Sequence, residues 1–262
     1  MKILVGADPE LFMQDAQGAF VSAIGRIGGS KRAPRPLPLG DGFAVQEDNV
    51  AVEFNIPPAD SREQFVNYIN RTMSFLSDEV GKLGLHFVNV SATNKWSAED
   101  MAHPAAHEFG CDPDFNAWAD GKRNPRPKAT DTTLRTCGGH VHVGLKMRSM
   151  EQMLKAVKMM DLFTSVPAQI MDHGELRKQL YGKAGAFRKK PYGFEYRSLS
   201  NFWALSPTLT GWVYDATQQA MDALLNNKIN PDDDRDIILA AVNGNDTGAA
   251  HYLVEKYNLM VV

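Results

Sequence analysis

Cysteine, long apolar runs and an excess of either charge are all missing from this chain. Two cysteines, Cys111 and Cys137, occur in 262 residues. They allow one disulfide at most, which excludes a disulfide-stapled secreted scaffold and reads as reduced thiols in the cytoplasm. No apolar stretch approaches the roughly 20 residues of a membrane span. The N-terminus begins on a strand-like Lys2-Ile3-Leu4-Val5, with no leader pattern. A formal net charge of −3 gives no positive field, so neither nucleic acid nor an anionic membrane is expected as a partner. What remains is an ordinary soluble composition, 44% hydrophobic and 23% charged, long enough for one substantial core. No repeat, low-complexity stretch or boundary divides it, so a single domain over residues 1–262 is expected.

Strands are expected over 2–13 and about 18–24, joined by a turn at Asp15 to Gly18. Two more, near 42–47 and 50–56, flank a tight turn at Asp48-Asn49. Asp60 or Ser61 caps an amphipathic helix in which Phe65, Ile69, Met73, Leu76, Val80 and Leu83 recur at three- and four-residue steps. A strand at 85–91 follows. Residues 92–135 are irregular and read as a functional loop region, because Phe115 and Trp118 need somewhere to pack. Ser149 caps a helix to about 172, bent or interrupted at Pro167. A strand at 192–199 precedes a helix opened by Ser206-Pro207, and shorter helices fill 231–242 and 246–258. Strands and helices mix without regular alternation, so the class is α+β with a largely antiparallel sheet.

Four segments place polar, charge-bearing residues on one strand face and apolar residues on the other: Gly6-Ala7-Asp8-Pro9-Glu10-Leu11-Phe12, Val50 to Ile56, Gly139 to Gly144, and Phe194-Glu195-Tyr196-Arg197. Residues i and i+2 share a face in a strand. Asp8 and Glu10 are thus close enough to repel unless a cation lies between them. Glu53 sits between Val52 and Phe54, where an acid needs a partner or a metal; Glu47 or Asp48 joins it. His140 and His142 share a face within glycines that let another group approach. Glu195 and Arg197 continue a basic array containing Arg177, Lys183, Arg188, Lys189 and Lys190, a combination that suits a metal beside a phosphoryl group. Hard oxygen donors with one or two imidazoles favour Mg²⁺ or Mn²⁺ over zinc or iron–sulfur chemistry.

Other signals are weaker. Gly28-Gly29-Ser30-Lys31 fails as a Walker A loop, since Ser30 precedes Lys31 and Arg32 follows it; Lys31 stays as a simple anion contact. His103, His107 and Cys111 have helical spacing for zinc, but Pro104, Gly110 and Pro113 interrupt a helix there.

The ordered set GADPELF, DNVAVEFNIPPA, GCDPDFNAW, CGGHVHVG and YGFEYRSLSNFW resembles the glutamine synthetase and glutamate–cysteine ligase superfamily, and more closely its phage-encoded carboxyl–amine ligase branch. The resemblance covers about residues 1–205; the C-terminal helices match nothing. It implies a curved antiparallel sheet like the glutamine synthetase catalytic domain, whose concave face binds ATP and two or three divalent ions, with helices on the other face. Carried over by motif, Asp8, Glu10, Glu53, His140 and Glu195 stand for metal ligands. Arg177, Arg188 and Arg197 stand for phosphate contacts, and His142 faces substrate or metal. The implied activity is ATP-dependent amide formation between small carboxylate and amine substrates through an acyl phosphate, in the host cytoplasm if the gene is a phage's. No counterpart of the separate N-terminal domain of glutamine synthetase is seen, which leaves the oligomeric state open. Residues 92–135, with Asp112 and Trp118, are expected to cover the acyl phosphate. Competing readings are a guanidine-kinase type phosphotransferase, a metal-dependent hydrolase and a binding protein that has lost activity.

Overall fold

A computed structural model describes residues 2–107, 114–125, 131–172 and 174–262, with only the backbone of Glu175. Asp112, Cys111, Gly110 and Pro113, and with them part of the GCDPDFNAW segment, lie outside the described residues.

The strands are β1 (Leu4–Asp15), β2 (Phe20–Val21), β3 (Arg35–Pro36), β4 (Ala44–Asp48), β5 (Ala51–Asn55), β6 (Leu85–Val88), β7 (Ala92–Thr93), β8 (Phe115–Asn116), β9 (Lys122–Arg123), β10 (Arg135–Thr136), β11 (Gly139–Gly144), β12 (Ala186–Lys190) and β13 (Gly193–Tyr196). The helices are α1 (Arg62–Gly81), α2 (Ala98–Ala102), α3 (Met150–Met160), α4 (Val166–Met171), α5 (Pro207–Leu225), α6 (Arg235–Gly244) and α7 (Thr247–Tyr257). One antiparallel sheet runs β3-β4-β5-β1-β11-β13-β12-β8-β9, with β2 and β6 on the far half of β1. The expected α+β class with an antiparallel sheet is what the chain forms.

The first strand is central because it changes neighbours along its length. Leu4 to Pro9 pair with β11, Glu10 and Leu11 with β5, and Phe12 to Asp15 with β6. Its odd positions Val5, Ala7 and Leu11 join Val52, Phe54, Val141, Val143, Phe194 and Tyr196 in the main core, against Phe65 and Ile69 of α1 and Trp212 and Val213 of α5. A second, smaller apolar cluster lies on the even face, where Phe12 meets Phe20 and Trp96 edge-on and those two rings meet each other tilted, with centroids 5.1–6.0 Å apart.

Several boundaries differ from expectation for identifiable reasons. Ser61 caps α1, and Gln64 completes the exchange: its amide reaches Ser61 Oγ at 3.3 Å and its Oε1 accepts the Asp60 amide at 2.8 Å. The helix begun at Ser149 passes through a π-helical turn, Asp161–Ser165, before α4. Pro167 has no N–H and crowds the carbonyl four residues back, which a wider turn relieves. Trp118 is not part of a cover: it is buried in the main core and donates its indole N–H to Asp161 at 2.6 Å. The basic run 186–190 forms the edge of a hairpin, β12, paired to β13. No helix among the described residues is long and apolar enough to cross a membrane.

Candidate active site

Strand register brings the polar positions together. Asp8 faces His140, Glu10 faces Glu53, Glu53 faces Gln46, His142 faces Glu195 and Arg188 faces Glu195. Directly opposed residues share a sheet face, so six strands present one continuous polar surface. It lines a cavity of about 610 Å³ that also meets Lys31, Asp48, Arg177, Lys190 and Arg197.

Two groups of ligand-type atoms gather there. In each of Asp8–His140–Glu195 and Glu10–Asp48–Glu53, one ligand atom per residue lies within 4.8 Å of the others. Asp8 Oδ1 lies 3.5 Å from His140 Nδ1 and 3.0 Å from His142 Nε2, yet is aligned for a hydrogen bond with neither. A buried carboxylate oxygen left in that condition fits a cation better than a proton. Glu10 is fixed from two sides. Gly138 donates its amide to Oε2 at 2.7 Å, and the Asn201 amide holds the Glu10 carbonyl at 2.9 Å. Gln46 donates to Glu53 Oε2 at 3.0 Å.

The two groups differ in charge balance. Burial, and then Asp48, push Glu10 up to about 7; burial, then Asp8, Asp48 and Glu10, push Glu53 well above the carboxylate range. This trio is short of positive charge. Glu195 is the reverse. Burial alone would raise it, but Arg197 and its other neighbours hold it at about 2. Arg188 Nη1 is 3.4 Å from Oε1, Lys190 Nζ is 2.8 Å from Oε2, and Arg197 pairs with Oε1. Burial and Arg197 depress His140 to about 4, which favours the neutral imidazole at pH 7. Burial opposes protonation of His142 too, but Asp8 outweighs it and the pKa rises.

Of the expected residues, Asp8, Glu10, Glu53, His140, His142, Glu195, Arg188, Arg197, Arg177 and Lys31 all line this cavity. Arg177 is buried and donates to the Ser198 carbonyl at 3.0 Å. Glu47 does not join them. In β4 it alternates with Gln46 and Asp48 onto the opposite face, and its oxygens take the amides of Gly25, Ile27 and Gly28 at 2.7–3.1 Å. The residue expected as a metal ligand is instead the anchor of the loop carrying Lys31, and Asp48 stands with Glu53. Hairpin parity alone carries that distinction, since Glu53 shares its face with even-numbered partners. Gln46 and Asn201 carry no signal as single residues, whereas Lys190, already part of the basic array, reaches Glu195 here. His103 Nδ1 accepts the Ala105 amide and the His107 ring meets the Met101 carbonyl at 2.6 Å, while Cys111, third in the zinc-like spacing, lies outside the described residues.

Residues 130–247 match a known family model. That family is described as phage phiEco32-like COOH.NH2 ligase-type 2, in agreement with the resemblance carried by the motifs. The matched segment contains CGGHVHVG and YGFEYRSLSNFW; the three earlier motifs precede it. No curated protein matches the chain. Among solved structures, "Apo GmaS without ligand" aligns at 12% identity over 98% of this chain and 69% of that one, with a TM-score of 0.42. "GmaS/ADP complex-Conformation 1" aligns at 11% identity over 98% and 70%, with a TM-score of 0.38. In the segment matching the ligase family lie His140, His142, Arg177, Arg188, Glu195 and Arg197; Asp8, Glu10, Asp48 and Glu53 come from the chain before it.

Proposed function

We infer that the chain is an ATP-dependent carboxylate–amine ligase that uses divalent metal and forms an amide through an acyl phosphate. One observation carries this reading: two acid-rich ligand groups and a row of arginine and lysine side chains share one sheet face and one cavity. A hydrolase needs the acids and imidazoles but not the cationic row. A polyphosphate needs both.

Asp8, His140 and Glu195 would hold one divalent ion and Glu10, Asp48 and Glu53 another. Bound ions would neutralise phosphate charge and polarise the transferring phosphoryl group. Arg188, Lys190 and Arg197 supply fixed positive charge on the same face, preorganised by their contacts with Glu195, which is where electrostatic catalysis gains most. Lys31, on its anchored loop, adds a cation from the β4 side. His142, between Asp8 and the Tyr192 hydroxyl, stands beside the first metal-ligand group, where it can orient a substrate carboxylate.

The test is ADP release from ATP with Mg²⁺ or Mn²⁺ and pooled small carboxylates and amino acids, native chain against Glu10→Ala. Turnover that needs both acceptor and Glu10 supports the ligase. Turnover unaffected by Glu10→Ala overturns the metal assignment. Absence of turnover together with absence of Mg–ATP binding overturns the ATP-dependent reading.

A further inference from the structure

A second cavity, of about 960 Å³, shares Gln179 with the first. Its wall is unlike that of the metal face. Ser91, Asp172, Asn201, Asn243 and Asn245 line it, and Lys178 is its single cation among the described residues. That cation is already committed, with the side-chain oxygens of Gln169 and Asn245 on its ammonium. A bound anion would have to compete for it.

The acceptors are in the opposite condition. Asn201 is fully buried. Its Nδ2 donates to the carbonyls of Glu10 and Val90, at 2.9 and 3.3 Å, while its Oδ1 accepts from no described residue. Asp172 receives the Gly174 amide on Oδ1 at 3.0 Å and the Ser200 hydroxyl on Oδ2 at 2.7 Å. Each carboxylate oxygen has capacity for a second donor. An uncompensated buried acceptor and a carboxylate with spare lone pairs, in a cavity of asparagines, call for a ligand rich in N–H donors. A primary ammonium brings three donors and the charge that Asp172 complements.

We propose that this second cavity binds a small primary amine, its ammonium on Asp172 and Asn201. The ammonium chemistry fits two sources, the amine co-substrate of the ligation or a separate amine effector; only the co-substrate case rests on the ligase reading. Either way Asn201 couples the site to catalysis, because the side chain that would meet the amine also fixes the backbone of Glu10.

The test uses the full chain with chelator present and glycinamide as probe, followed by calorimetry or ligand-observed NMR. Saturable binding is expected in the native chain and in Glu10→Gln, with acetamide, which lacks the ammonium, failing to compete. Asp172→Asn should weaken binding at least tenfold. So should Asn89→Trp, which fills the cavity from an exposed wall position and guards against a folding defect in the first variant. No saturable binding by the native chain, or binding unchanged in both cavity variants, overturns the proposal. Loss in Glu10→Gln with retention in Asn89→Trp also overturns it, by moving the amine to the metal face. With turnover in hand, a raised KM for amine at unchanged kcat in Asn89→Trp identifies the co-substrate. An unchanged KM with loss of rate modulation by glycinamide identifies an effector. Glycinamide binding with neither ATP turnover nor Mg–ATP binding sinks the ligase and leaves this site; turnover without glycinamide binding does the reverse.

Discussion

Lys190 Nζ lies 2.8 Å from Glu195 Oε2, across the β12–β13 hairpin and beside Arg188 and Arg197. Glu195 is therefore caged by cations when no phosphate is near. A polyphosphate would compete for those same cations and free the carboxylate for a metal. Lys190→Met is expected to weaken Mg–ADP binding by about tenfold, roughly 1.4 kcal/mol. It should also strengthen nucleotide-free Mn²⁺ binding at the Asp8–His140–Glu195 position. Calorimetry with Mg–ADP and Mn²⁺ titrations followed by electron paramagnetic resonance measure the two effects. Equal Mn²⁺ affinity in both proteins would show that the cage does not compete with metal.

Glu10 is raised from 4.5 to about 7 by burial and by Asp48. A carboxyl whose folded pKa is raised stabilises the fold fully below its unfolded value, and that contribution is lost as pH rises through the folded value. In metal-free protein, Glu10→Gln should therefore gain stability relative to the native chain between about pH 4.5 and 7, on the order of 3 kcal/mol at the upper end. Thermal unfolding of both proteins at pH 5 and pH 8 in chelator provides the comparison. Added Mg²⁺ should reverse the order at pH 8, because the native carboxylate then has its counter-charge.

Three backbone amides of the 25–28 loop end on one carboxylate, Glu47. Glu47→Ala leaves them without a protein acceptor, at about 1–3 kcal/mol in stability. Since the loop carries Lys31 into the cavity, nucleotide affinity should fall in this variant while Mn²⁺ affinity at Glu10, Asp48 and Glu53 stays near native. A fall in metal affinity as large as in Glu53→Ala would return Glu47 to the ligand set.

A methyl group on Gly139 would run into the Ser200 carbonyl and the Trp203 indole nitrogen, while one on Gly81 meets nothing within 4 Å. Gly139→Ala should displace the strand bearing both histidines and lower stability by several kcal/mol, as overpacking a rigid core does. Gly81→Ala, at the end of α1, should be neutral or add up to about 1 kcal/mol. Urea midpoints of the two variants settle the contrast.

The period-two pattern makes most of this site legible in the sequence, because a strand that buries one face cannot slip by one residue without turning every polar position on that face away. That Asp8 and Glu10, His140 and His142, and Glu195 and Arg197 each share a strand face follows from the pattern; which of them stand as metal ligands comes from the family resemblance. Charge alone does not separate Glu47 from Asp48; hairpin parity does, and it puts Asp48 on the face of Glu53. The strand Ala186–Lys190 was hidden because its basic residues look like a solvated loop; pairing with β13 decides it, and pairing is tertiary. Trp118 looked like a cover because its partner Asp161 is 43 residues away in sequence. Asn201 carried no local signal at all, since its role is defined by a carbonyl near the other end of the sheet's first strand.

That strand has a consequence for how the protein is made. β1 is synthesised before the strands it pairs with, yet Glu10 waits for an amide 128 residues later and a side chain 191 residues later. Its early neighbours β5 and β6 can pair with it during synthesis, but the edge meant for β11 stays open until Gly139–Gly144 have emerged. An unpaired edge of that kind invites mispairing, and the long separations favour slow closure. Nascent chains cut before residue 144 should therefore hold an open hairpin sheet that seeks another edge. Asp8 and Glu10, ionised and solvated while that strand is unpaired, then place negative charge beside the open edge, which disfavours joining another.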